Sequence, residues 1–506
     1  MEAGAVVDAG SLGEPVGFVV DGATPSVARF VARRPPPLGD YVLVEAGGGF
    51  LLGMVRSVGT RSLTLSSLPG VYDPVVVERL GGEASGGDVF YECSARLLSP
   101  LGGGGVERVP PVPGARVYRA PVEVLKRIFG RRGRGSVRIG VLAARPEVEV
   151  YVDVNMLATR HAAILAVTGA GKSNTVAVLA DRIVRELYGT VLVFDFHGEY
   201  VGSGIGGGVN VIEAKLNPRL LSVSELMLLL GIEHRFYHQE RVLRHAIRHV
   251  RGREIQEDFL GSIVRFLEGI ATRRGEEAKA ATAVINRIES LLERYGDIID
   301  ESAPDPVARI EPGRLNVVDL SRVDEDAADV VVSHVLRILL AERKRHKLRG
   351  ESLVPFPVLV VLEEAHILAP RDEDTLSKYW LSRIAREGRK FGLGLVLVSQ
   401  RPKGLDQNIL SQANSLVVMR IIEPSDQRYI REASESLSED LVEQLPSLGV
   451  GEAVLVGSFV PLPALVRIDR YPGRLGGNDP DVVGEWARLR EERLGAGGGV
   501  SFEEFL

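Results

Sequence analysis

The stretch AILAVTGAGKSNTVAVLA, residues 163–180, constrains this chain more than any other. It opens as an apolar strand, turns on glycines at 169 and 171, and continues with the spacing of an amphipathic helix. Such a turn aims a row of backbone N–H groups at one point in front of a helix N-terminus, which is where an anionic phosphate is stabilised. Thr168, Gly169, Ala170, Gly171, Lys172 and Ser173 are therefore candidate phosphate ligands. Lys172 would reach the β- and γ-phosphates, and the Ser173 hydroxyl would ligate Mg²⁺. The usual pattern, G-x-x-x-x-G-K-[ST], begins with glycine, whereas this chain carries Ala166 there. A methyl is the smallest intrusion a strand end can receive.

Three further strand tips carry polar groups. VLVVLEEAH, residues 358–366, is an apolar strand ending in two carboxylates. Glu363 is placed to hold the metal's shell and Glu364 to polarise the water that attacks the γ-phosphate. LGLVLVSQR ends in Ser399, Gln400 and Arg401, where a glutamine can bond the γ-phosphate. VLVFDFHGEY, taken as the strand next to the phosphate loop, puts Asp195 and Glu199 near the metal, although a His-Gly turn also accounts for them. Between the second and third tips, Arg383, Arg386 and Arg389 recur every three residues on a helical pattern. They form either a solvated face or, through Arg389, an arginine finger aimed at a neighbouring subunit's nucleotide.

The rest of the chain sets these pieces in order. Residues 1–98 hold short β-branched segments separated by Gly and Pro, which suggests a small N-terminal β-barrel, and residues 99–120 read as a linker. Residues 121–217 and 306–470 alternate buried strands with helices, the signature of a parallel sheet, and 471–506 is a charged tail. Between them, residues 218–305 carry helical periodicity throughout and form an insert. GEAVLVGSFVPLPALVRID reads as the last strand-like piece. One cysteine, Cys93, excludes an intrachain disulfide and a cysteine metal framework. The net charge of -6 argues against a protein that coats nucleic acid generally, though not against a local basic channel. The densest basic clusters are Lys126, Arg127, Arg131, Arg132 and Arg134, and then Arg244, Arg248, Arg251 and Arg253. With no signal pattern and no apolar run of about 18 residues, a soluble intracellular protein with no membrane partner is expected.

In order and spacing, TGAGKSN, DFHGEY, LEEAH, REGRKFG and SQRP resemble the HerA helicases of archaea, relatives of the FtsK DNA translocases. The resemblance spans essentially the whole chain. It implies a RecA-like P-loop ATPase core with a helical insert behind an N-terminal β-barrel. It also implies a homo-hexameric ring that binds ATP and Mg²⁺ at each subunit boundary and moves duplex DNA through its channel. The partners it implies are a NurA-type nuclease and the Mre11–Rad50 complex, in DNA end resection. Carried over residue by residue, Lys172, Ser173 and Asn174 belong to the phosphate loop, and Glu363 and Glu364 are the metal-side and catalytic acids. Gln400 senses the γ-phosphate, Arg389 acts in trans, and Arg160 is a further boundary contact. A translocase for segregation or conjugation, or a nucleotide-gated scaffold, would carry much of the same pattern.

Overall fold

A computed structural model describes residues 12–47, 49–62, 89–101, 109–131, 133–233, 235–252, 258–476 and 481–495. Its N-terminal part is a closed antiparallel barrel of β1 (Gly17–Val19), β2 (Val27–Ala32), β3 (Tyr41–Ala46), β4 (Gly49–Ser62), β5 (Val89–Leu101) and β6 (Arg116–Arg119). Closure leaves no free sheet edge. The barrel interior is apolar, with Phe30, Val42, Val55 and Val117 fully buried. The stretch 99–120, expected as a linker, contributes the end of β5 and the whole of β6, whose pairing with β1 and β3 closes the ring. Arg116–Arg119 is too short to stand out beside the Pro/Gly-rich run before it. Buried Asp40 ties barrel to core, with Arg119 at 2.6 Å and Arg145 at 3.0 Å.

The core is one sheet of eleven strands. In chain order these are β7 (Ser136–Leu142), β8 (Arg145–Asp153), β9 (Ala162–Leu165), β10 (Val191–Asp195), β11 (Val209–Glu213), β12 (Leu315–Asp319), β13 (Val358–Leu362), β14 (Leu393–Ser399), β15 (Ser415–Val418), β16 (Glu452–Gly457) and β17 (Ala464–Ile468). In space they run β11-β12-β10-β13-β14-β9-β15-β16-β17-β7-β8. From β11 to β15 every neighbouring pair is parallel, and beyond β15 every pair is antiparallel. β10, β13, β14, β9 and β15 are buried along their whole length, as a two-sided parallel sheet requires.

The crossovers correct two expectations. β10 follows the phosphate-loop helix in sequence, yet is separated from β9 by two strands, β13 and β14, and is hydrogen-bonded to β12 and β13. The connection passes over the sheet, so chain order and sheet order part company. The segment read as one last strand is a hairpin, with β16 and β17 paired antiparallel and Pro461 and Pro463 in the connection. The β7–β8 hairpin beyond it was not anticipated; Gly140 fits there because a Cβ would lie 2.1 Å from the Arg467 carbonyl oxygen.

The insert consists of helices Val223–Leu229, Tyr237–Arg251, Phe259–Ala271 and Glu276–Tyr295. It is fastened to the core helix Glu325–Arg349 by a buried carboxylate. Glu225 accepts from Arg337 Nε at 2.9 Å and Nη2 at 3.0 Å, and from the Ser222 N–H of its own capping box. His334 fills the space between Glu225 and Asp305, with Nε2 at 3.2 Å from the latter. Burial alone would raise the Glu225 carboxyl, but the His334 and Arg337 side chains and the Ser222 N–H hold it at about 2.

A carboxyl depressed in the folded state contributes stability above its ordinary value, and that contribution is lost as pH falls through the folded value. Glu225 therefore supports the fold above pH 4.5 and ceases to do so between 4.5 and about 2. Glu225→Gln is expected to destabilise the protein by about 3 kcal/mol at neutral pH, because Arg337 loses its charge partner. It should also flatten the acid limb of the stability profile, as measured by denaturant unfolding between pH 3 and 7.

Candidate functional site

The phosphate-loop turn joins β9 to helix Lys172–Leu187. Gly169 and Gly171 adopt φ of +75° and +114°, which side chains disfavour, and a Cβ on Gly171 would meet the Met419 Cε at 3.0 Å. Ala166 is not among the left-handed residues: it extends β9, with its N–H donating to the Ser399 carbonyl at 3.3 Å. The departure from the usual glycine thus falls where the backbone makes no demand for one. The loop is held from behind by strand-end neighbours. The Val167 N–H donates to Arg420 O at 3.0 Å, and the Gly451 N–H to Ala170 O at 3.0 Å.

Lys172 is half-buried, its Nζ 3.5 Å from the carbonyl oxygens of Ala166 and Val167. Burial pushes the ammonium below the usual lysine value, and the carboxylates of Glu364, Glu363 and Glu199 draw it back up. Because β9, β14, β13 and β10 are parallel neighbours in that order, their C-terminal tips all meet the same edge. Thr168 Oγ1 donates to Gln400 Oε1 at 2.6 Å, which links the loop to the tip of β14.

At the tip of β13, Glu363 is fully enclosed and accepts from the hydroxyl of buried Tyr200. Burial pushes its carboxyl up to about 8; the Tyr200 hydroxyl opposes the rise, and Glu199, Glu364 and Asp195 add to it. Glu364 sits at φ +44°, a strained conformation for a residue with a Cβ. His197 Nε2 lies 3.6 Å and His366 Nδ1 3.3 Å from its two oxygens, and its buried Oε2 has no hydrogen bond. Asp195 is taken up locally, accepting the backbone N–H groups of His197, Glu199 and Tyr200 and so forming the turn that brings Tyr200 under Glu363.

Crowded carboxylates, one of them raised chiefly by burial and further by its neighbours and one with an orphaned oxygen, fit a divalent cation. Hydroxyl and carboxylate oxygens, from Ser173 and Glu363, are the hard donors that Mg²⁺ takes. Among the described residues no cluster of three or more His, Cys, Asp or Glu side chains offers an all-protein metal site. That is also the ordinary state of a Mg²⁺ site completed by phosphates and water.

Asn174 commits its side chain to the fold. Its amide donates to Asp469 O at 2.9 Å and accepts from the Tyr471 N–H at 2.8 Å, so both polar ends serve the chain after β17. The tail expected from 471 is likewise part of the core at its start. Tyr471 is buried with its hydroxyl on Ser203 O, and the Gly476 N–H donates to Glu199 O at 2.7 Å. Long-range pairing of this kind leaves no periodic trace in sequence.

The arginines lie at the opposite edge. Helix Leu376–Glu387 and the turn Gly388–Phe391 lead into the start of β14, and Arg160 ends the helix that leads into β9. Seven residues of strand, about 20 Å, separate Arg389 from the tip of its own β14. Arg383 is engaged by Glu387 at 3.1 Å and lies over Trp380, while Arg386 donates to Ser382. Arg389 and Arg160 are exposed, and neither side chain has a hydrogen-bond or ion-pair partner among the described residues. Buried His161 joins the two segments, accepting the Leu395 N–H at 3.0 Å with its other nitrogen 3.0 Å from Ala385 O.

Of the basic clusters, Lys126, Arg131 and Arg244 pair with Glu123, Glu186 and Glu240, and Arg251 bonds the carbonyls of Arg219 and Leu221. Arg127, Arg134 and Arg248 are exposed, and Arg132 and Arg253 lie outside the described residues. No helix among the described residues is long and apolar enough to cross a membrane. Reasoning from sequence missed Tyr200, His197 and His366; the first two stand within the quoted DFHGEY motif, where the acids drew attention instead.

Since Ala166 needs no left-handed backbone, Ala166→Gly is expected to leave nucleotide affinity unchanged within about twofold while lowering stability by about 0.5–1 kcal/mol. Gly169→Ala, which forces φ +75° on a side chain, should lose affinity instead. Nucleotide titration and thermal melting of the two variants check this.

The comparisons with known proteins agree with this architecture. The family model described as the central domain of the helicase HerA matches residues 137–339. The DNA double-strand break repair helicase HerA of Sulfurisphaera tokodaii is 42% identical over 492 residues, 94% of this chain and 97% of that one. The protein of the same description from Saccharolobus solfataricus is 42% identical over 500 residues, 96% and 98% of the two chains. Among solved structures, VirB4 of Thermoanaerobacter pseudethanolicus shares the fold, with a TM-score of 0.50 at 17% identity over 68% of this chain and 98% of its own. A β-barrel, a P-loop ATPase sheet with its helical insert, and this identity along nearly the whole length together place the chain in the HerA helicase family.

Proposed function

We propose that this chain is an ATP-driven DNA helicase and translocase that works as a homo-hexameric ring in double-strand-break repair. Two relatives 42% identical to it carry the name DNA double-strand break repair helicase. The observation that carries the reading is the division of the sheet into two working edges. The phosphate loop, the acid pair and Gln400 meet at the C-terminal tips, while Arg389 waits unpartnered about 20 Å away at the start of β14. An arginine so placed cannot serve its own site and fits a neighbour's in a heterologous ring.

In this reading the loop N–H groups and Lys172 bind the ATP phosphates, and the neighbour's Arg389 meets the charge that develops on the transferred phosphoryl group. Arg160, on the same edge, is a second boundary contact. Ser173 and Glu363 would hold Mg²⁺, which when bound neutralises phosphate charge. Glu364, strained at its backbone and left with a free oxygen, orients and deprotonates the attacking water. Gln400, whose Oε1 accepts the Thr168 hydroxyl at 2.6 Å, turns its amide NH₂ to donate to the γ-phosphate and so reports its presence to β14. Duplex DNA is the track, with Arg127, Arg134 and Arg248 the exposed cations of the two basic clusters that have no ion-pair partner among the described residues. A NurA-type nuclease, acting with Mre11–Rad50, is the partner that resects the ends the motor delivers.

Two experiments test this. Purified protein with Mg²⁺ should hydrolyse ATP faster with duplex DNA than without, and Glu364→Gln should bind ATP but turn over at least about a hundredfold more slowly. A rate indifferent to DNA would favour a nucleotide-gated scaffold. For the trans arrangement, Lys172→Ala and Arg389→Ala should each be inactive alone, and mixing the two should restore a fraction of the turnover. Mixed rings contain boundaries with one intact lysine and one intact arginine; no recovery on mixing would exclude an arginine supplied by the neighbour.

A further inference from the structure

Two strand tips of the site are joined through a single nitrogen atom. His366 stands three residues after Glu363, in the short helix Ala365–Leu368 that follows β13. Its Nδ1 lies 3.3 Å from Glu364 Oε2 and 3.3 Å from Ser399 Oγ, the last residue of β14 before Gln400. The side chain is 13% exposed, enclosed enough that water does not readily replace either partner. Nδ1 has room for one hydrogen bond along its ring direction. With the proton on Nε2, Nδ1 accepts from the Ser399 hydroxyl; with the proton on Nδ1, it donates to Glu364.

The structure holds the first arrangement's consequence. Ser399 Oγ already accepts the Arg401 N–H at 3.1 Å, so its own hydrogen is free to point at His366. Glu364 Oε2 is correspondingly buried with no hydrogen bond. A buried carboxylate oxygen without a donor is a costly thing to keep, and the nearest available donor atom is the one that Ser399 competes for.

We infer that His366 is a positioning residue that couples the Gln400 tip to Glu364. When Ser399 shifts with Gln400, Nδ1 is released; the neutral ring gives up its Nε2 proton to solvent, takes one at Nδ1, and in that tautomer donates to Glu364 Oε2 and fixes the carboxylate in the orientation that activates water. This rests on Glu364 being the acid proposed above. The device uses exchange of a hydrogen-bond partner and leaves the charge of the site unchanged.

The test uses the full-length protein with Mg²⁺, ATP and duplex DNA, comparing His366→Ala, His366→Asn, His366→Gln and Ser399→Ala with Glu364→Gln as reference. Asparagine presents an amide near the position of Nδ1, whereas glutamine presents one near Nε2. His366→Ala is expected to lower DNA-stimulated kcat about tenfold with KM for ATP within about twofold and an unchanged melting temperature. His366→Asn should recover most of the loss and His366→Gln little of it. Ser399→Ala and His366→Ala should be non-additive in the double variant. Wild-type kcat in His366→Ala, equal loss in the Asn and Gln variants, or strict additivity with Ser399→Ala would overturn the coupling. If Glu364→Gln itself turns over normally, the assignment of the acid fails first, so the two failures are told apart.

Discussion

Parallel pairing is the constraint on which the rest of this molecule depends. Six ladders between β11 and β15 force the tips of β9, β14, β13 and β10 to one edge and their starts to the other. Phosphate-binding amides, two acids, a glutamine and a tyrosine-backed turn are thereby delivered to one place, although the chain between them exceeds two hundred residues. The same geometry carries Arg160 and Arg389 away from that place. In the proposed reading, a site and the arginine that completes it lie at opposite edges of one rigid sheet, and a closed ring of identical subunits would join them.

The chemistry of the phosphate-loop edge follows from its burial. Burial, and then the neighbouring carboxylates, raise the Glu363 carboxyl to about 8 against the Tyr200 hydroxyl, and Lys172 feels both burial and the acids that counter it. Charges arranged in this way are not relaxed among themselves. In the proposed reading a cation and a polyphosphate entering together would relax these charges, and preorganised groups of this kind stabilise developing charge without reorganising during the reaction.

Much of this was legible beforehand. The insert's helices appear where 3.6-residue spacing placed them, because amphipathic helices must show one apolar face to the core. The buried strands appear where apolar runs placed them. What escaped were the parts held by distant partners. β6 is four residues long and gains its identity only by pairing with β1 and β3. Asn174 sits in a phosphate-loop motif, yet the chain after β17 claims both ends of its amide. The order β9-β14-β13-β10 is a property of crossovers, which local periodicity does not encode.

By itself, the sequence determined the local chemistry: a glycine turn between a strand and a helix, carboxylates and a glutamine at strand ends, and arginines ahead of a strand. Each of these follows from steric limits or side-chain period within a few residues. Only the tertiary structure decided that Ala166 needs no glycine, since its backbone continues β9, and that Tyr200 rather than Asp195 touches Glu363. It alone placed His366 between Glu364 and Ser399, and Arg389 a strand's length from its own phosphate loop. Those facts depend on which strands lie side by side, and that is settled by how the whole sheet buries its two faces.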